Sequence, residues 1–254
     1  MTYCLALCLV AGSVSGSGSG SDGSEAGVDI GATQPAEQSQ VTLRILSFNM
    51  RQWTRDMDSS QPTFWRNRME AMSRMIEDVD PDVICFQEFM VPVGQYVPDE
   101  YRRVGVTVSH PIYVRRGLEA GGHRAGVFWD VCVVRGIRVI NVHSRWESDI
   151  LLRTVTQVNG LLGGRDVACG DWNNSLAPIE RAGLKMKSAR GLLGISEKEE
   201  TFVNFTRPQE SHGTIDHFFV NGVTPLNYNM ITANYGLPDG VWMSDHRPIV
   251  LDCR

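Results

Sequence analysis

The run Val167-Ala168-Cys169-Gly170-Asp171-Trp172-Asn173-Asn174 constrains this chain more than any other stretch. An apolar segment suited to a buried strand stops at a glycine, and an acid, an indole and two amides follow at once. A buried strand presents polar groups where its backbone leaves the sheet, and Gly170 lets the chain turn or approach a neighbour closely there. Asp171 and Asn173 stand two apart, so an extended backbone would project them to one side. A carboxylate beside a carboxamide can grip a water and an anionic oxygen. Asp and Asn are also ordinary turn formers, so the other strands must decide between the two readings.

They end in the same way. Leu43 to Phe48 reads as a strand with Asn49 at its exit, and Val83 to Phe86 as a second strand ending in Gln87-Glu88. Ala125–Val134 and Ile137–Val142 flank Arg135-Gly136, a hairpin with a short turn, and the second arm ends at His143. Thr214 to Val220 is strand-like with Asp216-His217 embedded, and Ser244-Asp245-His246 precedes the apolar Ile249-Val250-Leu251. Between the strands, Trp65, Met69, Met72, Ile76 and Val79 form one helical stripe, and Leu151, Val155, Val158 and Leu162 another. Thr63 and Ser148 are placed to cap these helices. Arg66–Glu70 and Arg74–Asp78 are spaced for pairing on the first. A further helix is expected over 178–182. Residues 89–122 read as loop, with Arg102, Arg103, Arg115, Arg116 and His110 on a solvated surface. This alternation predicts an α/β fold with helices packed outside β-sheets.

The first 40 residues stand apart. Tyr3 to Val14 is a short apolar run, and Gly, Ser and Ala follow. That suits the apolar core of an export signal and a flexible tether, although no Lys or Arg precedes Arg44. The chain is therefore divided into an N-terminal segment, 1–40, and a catalytic domain, 41–254, with export as secreted or periplasmic protein expected and a cytoplasmic place otherwise. No segment is long and apolar enough for a stable membrane span. The net charge of −5 gives no overall basic balance of the kind that holds duplex DNA without sequence preference. Cys85, Cys132 and Cys169 lie inside apolar runs, and none of the six cysteines has metal-ligand spacing to another. Buried free thiols are expected.

Burying Asn49, Glu88, His143, Asp171 with Asn173, Asp216, and Asp245 with His246 at separate places would be costly. Gathering them at one mouth around a cation and water removes much of that cost. Carboxylate and amide oxygens suit Mg²⁺, or Mn²⁺. Mg²⁺ takes few carboxylates, so Glu88 helped by Asn49 and Asp245 fits it. His246 with Asp216 is a candidate pair for holding a proton or stabilising charge. The chemistry this set suits is attack of water on a phosphate ester.

Asn49 after its strand, Gln87-Glu88, His143, Gly170-Asp171-Trp172-Asn173, Ile215-Asp216-His217 and Ser244-Asp245-His246 occur in the order of the endonuclease/exonuclease/phosphatase superfamily, which includes DNase I-like nucleases, and the chain resembles that superfamily over 42–254. The resemblance implies a four-layer α/β/β/α sandwich, two mixed sheets face to face with helices outside. It implies Glu88 as principal Mg²⁺ ligand with Asn49 and Asp245 beside it. It makes Asp171 the residue that orients or deprotonates water, and Asn173 and His143 phosphate-oxygen donors. His246, held by Asp216, would stabilise the transition state or act as acid or base. Expected partners are a phosphate-ester substrate (nucleic acid, inositol phosphate or lipid headgroup), with the chain a monomer. The family's arginine or tyrosine phosphate contact has no obvious counterpart; Arg124 and Arg145 are candidates, and Arg145-Trp146 lie within reach of a substrate edge. The alternative is a binding module that keeps the fold without turnover.

Overall fold

The computed structural model describes residues 42–196, 198–203 and 213–254. The expected leader at 1–40 falls outside the described residues.

The chain begins with β1 (Leu43–Asn49), α1 (Trp65–Val79), β2 (Val83–Gln87), β3 (Tyr101–Arg103) and β4 (Ile112–Arg115). β5 (Ala120–Ala125), β6 (Trp129–Val134), β7 (Ile137–His143), α2 (Ser148–Leu161) and β8 (Asp166–Asp171) follow. Then come α3 (Leu176–Arg181), β9 (Lys187–Ser188), α4 (Ala189–Leu193), β10 (Asp216–Asn221), β11 (Pro225–Met230) and β12 (Ile249–Cys253). They build two six-stranded sheets, ordered β11-β12-β1-β2-β4-β3 and β5-β6-β7-β8-β10-β9. Each is mixed: β1–β2 and β7–β8 pair in parallel and the remaining strand pairs are antiparallel.

Strand alternation explains the layers. One set of side chains packs sheet on sheet: Ile45, Val83, Cys85 and Leu251 of the first meet Cys132, Val139, Cys169 and Phe218 of the second. The opposite faces take the helices. Leu46, Phe48, Ile84 and Phe86 pack on Trp65, Met69, Met72 and Ile76 of α1. Ile140, Val142, Ala168 and Phe219 pack on Leu151, Val155 and Val158 of α2. The result is the expected four-layer α/β/β/α sandwich. Cys85, Cys132, Cys169 and Cys253 are buried and free.

Two features fix the mouth of the sandwich. Gly170 has φ 134°, and a Cβ there would lie 1.9 Å from the Val142 carbonyl oxygen. Only glycine lets β8 run this close to β7 at the strand end. Across the sheets, buried Gln87 donates through Nε2 to Asn141 Oδ1 at 2.7 Å. Asn141 Nδ2 in turn donates to the carbonyls of Phe86 and His110, at 2.8 and 2.9 Å. This polar bridge ties β2 to β7 immediately behind Glu88 and His143.

Several local expectations give way. Residues 89–122 hold β3, β4 and the start of β5. Arg115 pairs there with Asp80, and its guanidinium lies over the Tyr101 ring. Phe64 occupies the cap position of α1 and Glu147 that of α2, neither making a side-chain cap bond, so Thr63 and Ser148 do not cap. Thr63 instead offers its carbonyl to Arg68 Nε. Arg74 and Asp78 do not pair with each other in the expected way; Arg74 Nε donates to the Tyr235 carbonyl and Asp78 accepts the Tyr235 hydroxyl. Arg66 lies over the Trp65 ring rather than reaching Glu70.

Candidate active site

Register sets the site before any side chain is considered. His143 stands opposite Asp171 across β7–β8, and Asp216 opposite Asp171 across β8–β10. In the other sheet Asn49 stands opposite Gln87, one residue before Glu88. All the expected positions except the 244–246 segment are therefore delivered by strand ends. That segment is held by Ser244, whose hydroxyl donates to the Asn49 carbonyl at 2.7 Å.

Asp171, only 1% exposed, is the hub. Its Oδ2 accepts from Asn49 Nδ2 at 2.9 Å and from Asn173 Nδ2 at 3.0 Å. The Nε2 atoms of His143 and His246 stand 3.7 and 3.9 Å from the same oxygen. These two distances exceed a direct hydrogen bond, so either imidazole can aim its Nε2 at a third group. Asn173 reaches Asp171 by a route other than an extended backbone. Its φ is 51°, and its N–H donates to Asp171 Oδ1 at 2.8 Å, closing an Asx turn. The turn reading of this stretch thus holds, and the turn itself sets the Asn173 carboxamide beside the Asp171 carboxylate.

His246 is backed by Asp216, with Nδ1 and Oδ2 2.9 Å apart. Burial pulls the imidazole pKa down, but the Asp216 and Asp171 carboxylates outweigh it and raise it to about 10. Burial pushes the Asp171 carboxyl up to about 7; the Asp216 charge adds to that rise, while His246 and the bonds from Asn173 and Asn49 oppose it. Asp171, Asp216 and His246 form a buried cluster whose ligand-type atoms lie within 4.8 Å of one another. Burial also lowers the pKa of His143.

Glu88, φ 53°, turns at the end of β2. One oxygen accepts the Gln52 N–H at 3.0 Å and the other lies 3.5 Å from Asn49 Nδ2. Asp245 is engaged by Arg51, Nη1 to Oδ2 2.6 Å, and Asn49 Oδ1 accepts the Arg51 N–H at 3.0 Å. Arg51 Nε also reaches Asp56, which is bound in turn by the fully buried Arg68. Arg68 donates as well to the carbonyls of Met50 and Met243, so it fastens the β1 exit to the 244–246 segment.

Two residues near the site read differently in the sequence. His110, expected on the surface, is 3% exposed and lies with its ring 6.5 Å from that of His143. Burial first and the neighbouring His143 second lower its pKa to about 4. It is a polar residue beside an apolar run, Ile112-Tyr113-Val114, but nothing in that run shows that the ring is buried against the distant His143. Arg51, two positions past the strand-end Asn49, lies in no strand or helix pattern of the sequence, yet it binds both Asn49 and Asp245. Around the site, His217 is packed, its Nε2 3.0 Å from the Asn174 carbonyl. Trp172 is fully buried edge-on to Phe219. Trp53 packs on Trp65. Arg124 sits on edge strand β5, while Arg145 lines a cleft shared with His143 and Asn173. The larger cavity, about 810 Å³, lies around Leu118 and Arg135-Gly136, at the other end of β7, and holds none of the site residues.

Two mixed six-stranded sheets packed face to face with helices outside make the DNase I-like α/β sandwich. The sequence profile of the Endonuclease/Exonuclease/phosphatase family matches residues 45–246, and the chain belongs to that family, by class hydrolases of phosphoric esters. Among solved structures, an endonuclease/exonuclease/phosphatase from Bacteroides vulgatus is 19% identical with a TM-score of 0.69, covering 84% of this chain and 98% of that one. A mannosyl-6-phosphatase from Bacteroides thetaiotaomicron is 18% identical with a TM-score of 0.68, covering 84% and 100%. D. rerio TDP2, complexed with a single-strand DNA product, is 18% identical with a TM-score of 0.64, covering 84% and 98%. These likenesses concern the fold. No curated protein sequence matches the chain. Among the described residues, no helix is long and apolar enough to cross a membrane.

Proposed function

We propose that the chain is a Mg²⁺-dependent hydrolase that directs water onto a phosphate ester, with Asp171 at its centre. The observation that carries this reading is the convergence of Asn49, Asn173, His143 and His246 on one buried carboxylate oxygen.

The donor set beside it fits a hard divalent cation. Glu88, Asn49 and Asp245 offer oxygens only, and the partly exposed Glu88 suits a cation that keeps several of its waters. Glu88 would hold the ion, with Asn49 and Asp245 beside it; Mn²⁺ suits the same donors. When bound, the ion supplies charge neutralisation at the phosphate oxygens. The remaining work falls to the chain itself. Asp171 Oδ2 orients the attacking water and accepts its proton. His143 Nε2 donates to a phosphoryl oxygen, and Asn173 Nδ2 does so by giving up its 3.1 Å bond to the Ser144 carbonyl while keeping Asp171. His246, kept protonated by Asp216, faces the developing negative charge with Nε2. The buried Asp171–Asp216–His246 cluster is a poorer cation site, because the two carboxylates keep His246 protonated and a protonated imidazole has no lone pair to offer a metal.

The test is hydrolysis of a panel of esters (plasmid and abasic DNA, inositol phosphates, sphingomyelin) with Mg²⁺, with EDTA and after Mg²⁺ is restored. Wild-type rates retained by both Glu88→Ala and His246→Ala would overturn the assignment. We place the catalytic unit at 41–254, acting as a monomer, and 1–40 as an export leader. N-terminal sequencing of the mature protein checks the leader.

A further inference from the structure

Beside the site lies a cleft of about 450 Å³ whose inner wall includes His143 and Asn173. Its outer wall carries two exposed apolar side chains. Trp146 is 74% exposed and Val127 75% exposed, both lining this one opening. A tryptophan whose role is packing is placed as Trp172 is, fully buried against another ring. Trp146 instead offers an indole face to whatever enters. Glu147 lines the same cleft, and its Oε2 is buried with no hydrogen-bond partner. An ionised carboxylate only accepts hydrogen bonds, so an orphaned carboxylate oxygen calls for a donor. Asn174 Nδ2, bonded to the Arg145 carbonyl at 3.0 Å, helps hold the segment carrying both residues.

Building on the phosphoester reading, we propose that this cleft is the subsite for the group esterified to the phosphate. It takes a neutral ring with one apolar face and hydrogen-bond donors on its edge. The indole of Trp146 covers the face, Val127 closes the far side, and Glu147 Oε2 receives an edge donor. The volume is that of a small-molecule site. A sugar ring and a nucleobase share the required chemistry.

The experiment uses the full chain with Mg²⁺ and four organic groups, each as monoester and as methyl phosphodiester: a hexose, a nucleoside, phenol and glycerol. Trp146→Ala is expected to raise KM about tenfold for the three ring esters and to leave the glycerol esters unmoved. Glu147→Gln is expected to raise KM about tenfold for the hexose or the nucleoside ester, and to leave the phenyl ester unmoved because phenol has no edge donor once esterified. Whichever of hexose and nucleoside responds to Glu147→Gln identifies the ring. The subsite is overturned if neither variant shifts KM, or if the glycerol esters shift as far as the ring esters, while the hydrolase reading stands. No turnover of any ester by wild type defeats the hydrolase reading instead; calorimetric titration of the same esters into the three proteins then decides the subsite by the same pattern of Kd values.

Discussion

His246 Nδ1 lies 2.9 Å from Asp216 Oδ2, and both side chains are almost wholly buried. The pair joins β10 to the 244–246 segment, so Asp216 fixes where the imidazole points and which ring nitrogen faces the site. Asp216→Asn keeps the shape and removes the charge that holds the ring. It is expected to lower kcat by about 10²- to 10⁴-fold, with a much smaller effect on KM. Steady-state kinetics on a variant shown to be folded by circular dichroism check this. An unchanged kcat means that His246 works without its partner.

Glu88 is the candidate metal ligand most open to solvent, since Asp245 and Asn49 are both engaged by Arg51. Glu88→Gln keeps the size of the side chain and one acceptor oxygen, enough for the Gln52 N–H, but gives up the longer contact to Asn49 and the charge. The Mg²⁺ concentration for half-maximal activity should rise by at least about tenfold to 100-fold. Calorimetric Mg²⁺ titration of wild type and variant measures the same loss without turnover, and equal heats in the two would exclude Glu88 as the ligand.

The parts of this molecule that repeat a period were legible in the sequence. The α1 stripe from Trp65 to Val79 is buried throughout as its spacing requires, and Arg135-Gly136 turns the β6–β7 hairpin with both residues at positive φ. β3 and β5 could not be read that way. Tyr101–Arg103 is too short to show alternation, and Ala120–Ala125 is an edge strand of small and exposed residues with no buried face. The site followed the same rule. Residues at the ends of strong strands, such as Asn49 and Asp171, declared themselves. His110 did not, because its burial comes from packing against a distant segment around His143. The connection between Arg51 and Asp245 spans 194 positions and has no local trace.

Gly170→Ala tests whether the β7–β8 approach is needed for the site. A Cβ here meets the Val142 carbonyl in a backbone conformation that L-residues rarely adopt. The strands must part, and Asp171, the next residue, moves with them. The expected cost is about 2–3 kcal/mol or more, with loss of activity. Gly136→Ala is the comparator, because Gly136 also has positive φ but no atom within 4 Å of the added Cβ. It should cost about 1 kcal/mol and leave kcat unchanged. Urea unfolding of the two variants separates strain alone from strain with a clash.

His110 predicts an acid limb in stability. Its pKa falls from an ordinary 6.5 to about 4, chiefly through burial, with His143 adding to the fall and Asp130 opposing it. The groups around it are the Ser109 hydroxyl at 3.0 Å from Nδ1, the His143 ring, the Asp130 carboxylate and the Trp129 backbone. A folded-state pKa below the unfolded one means that the unfolded chain binds the proton more readily. The contribution is therefore complete above pH 6.5 and is lost as pH falls towards 4, by up to about 3 kcal/mol. His110→Gln cannot titrate, so its stability should fall less over that window than that of wild type. Asp171 titrates in both proteins and cancels in the comparison. Urea midpoints at four pH values between 4 and 7.5 measure the difference; parallel curves would mean that His110 takes up its proton as readily in the fold as outside it, and that the cleft floor beside His143 is wetter than its 3% exposure implies.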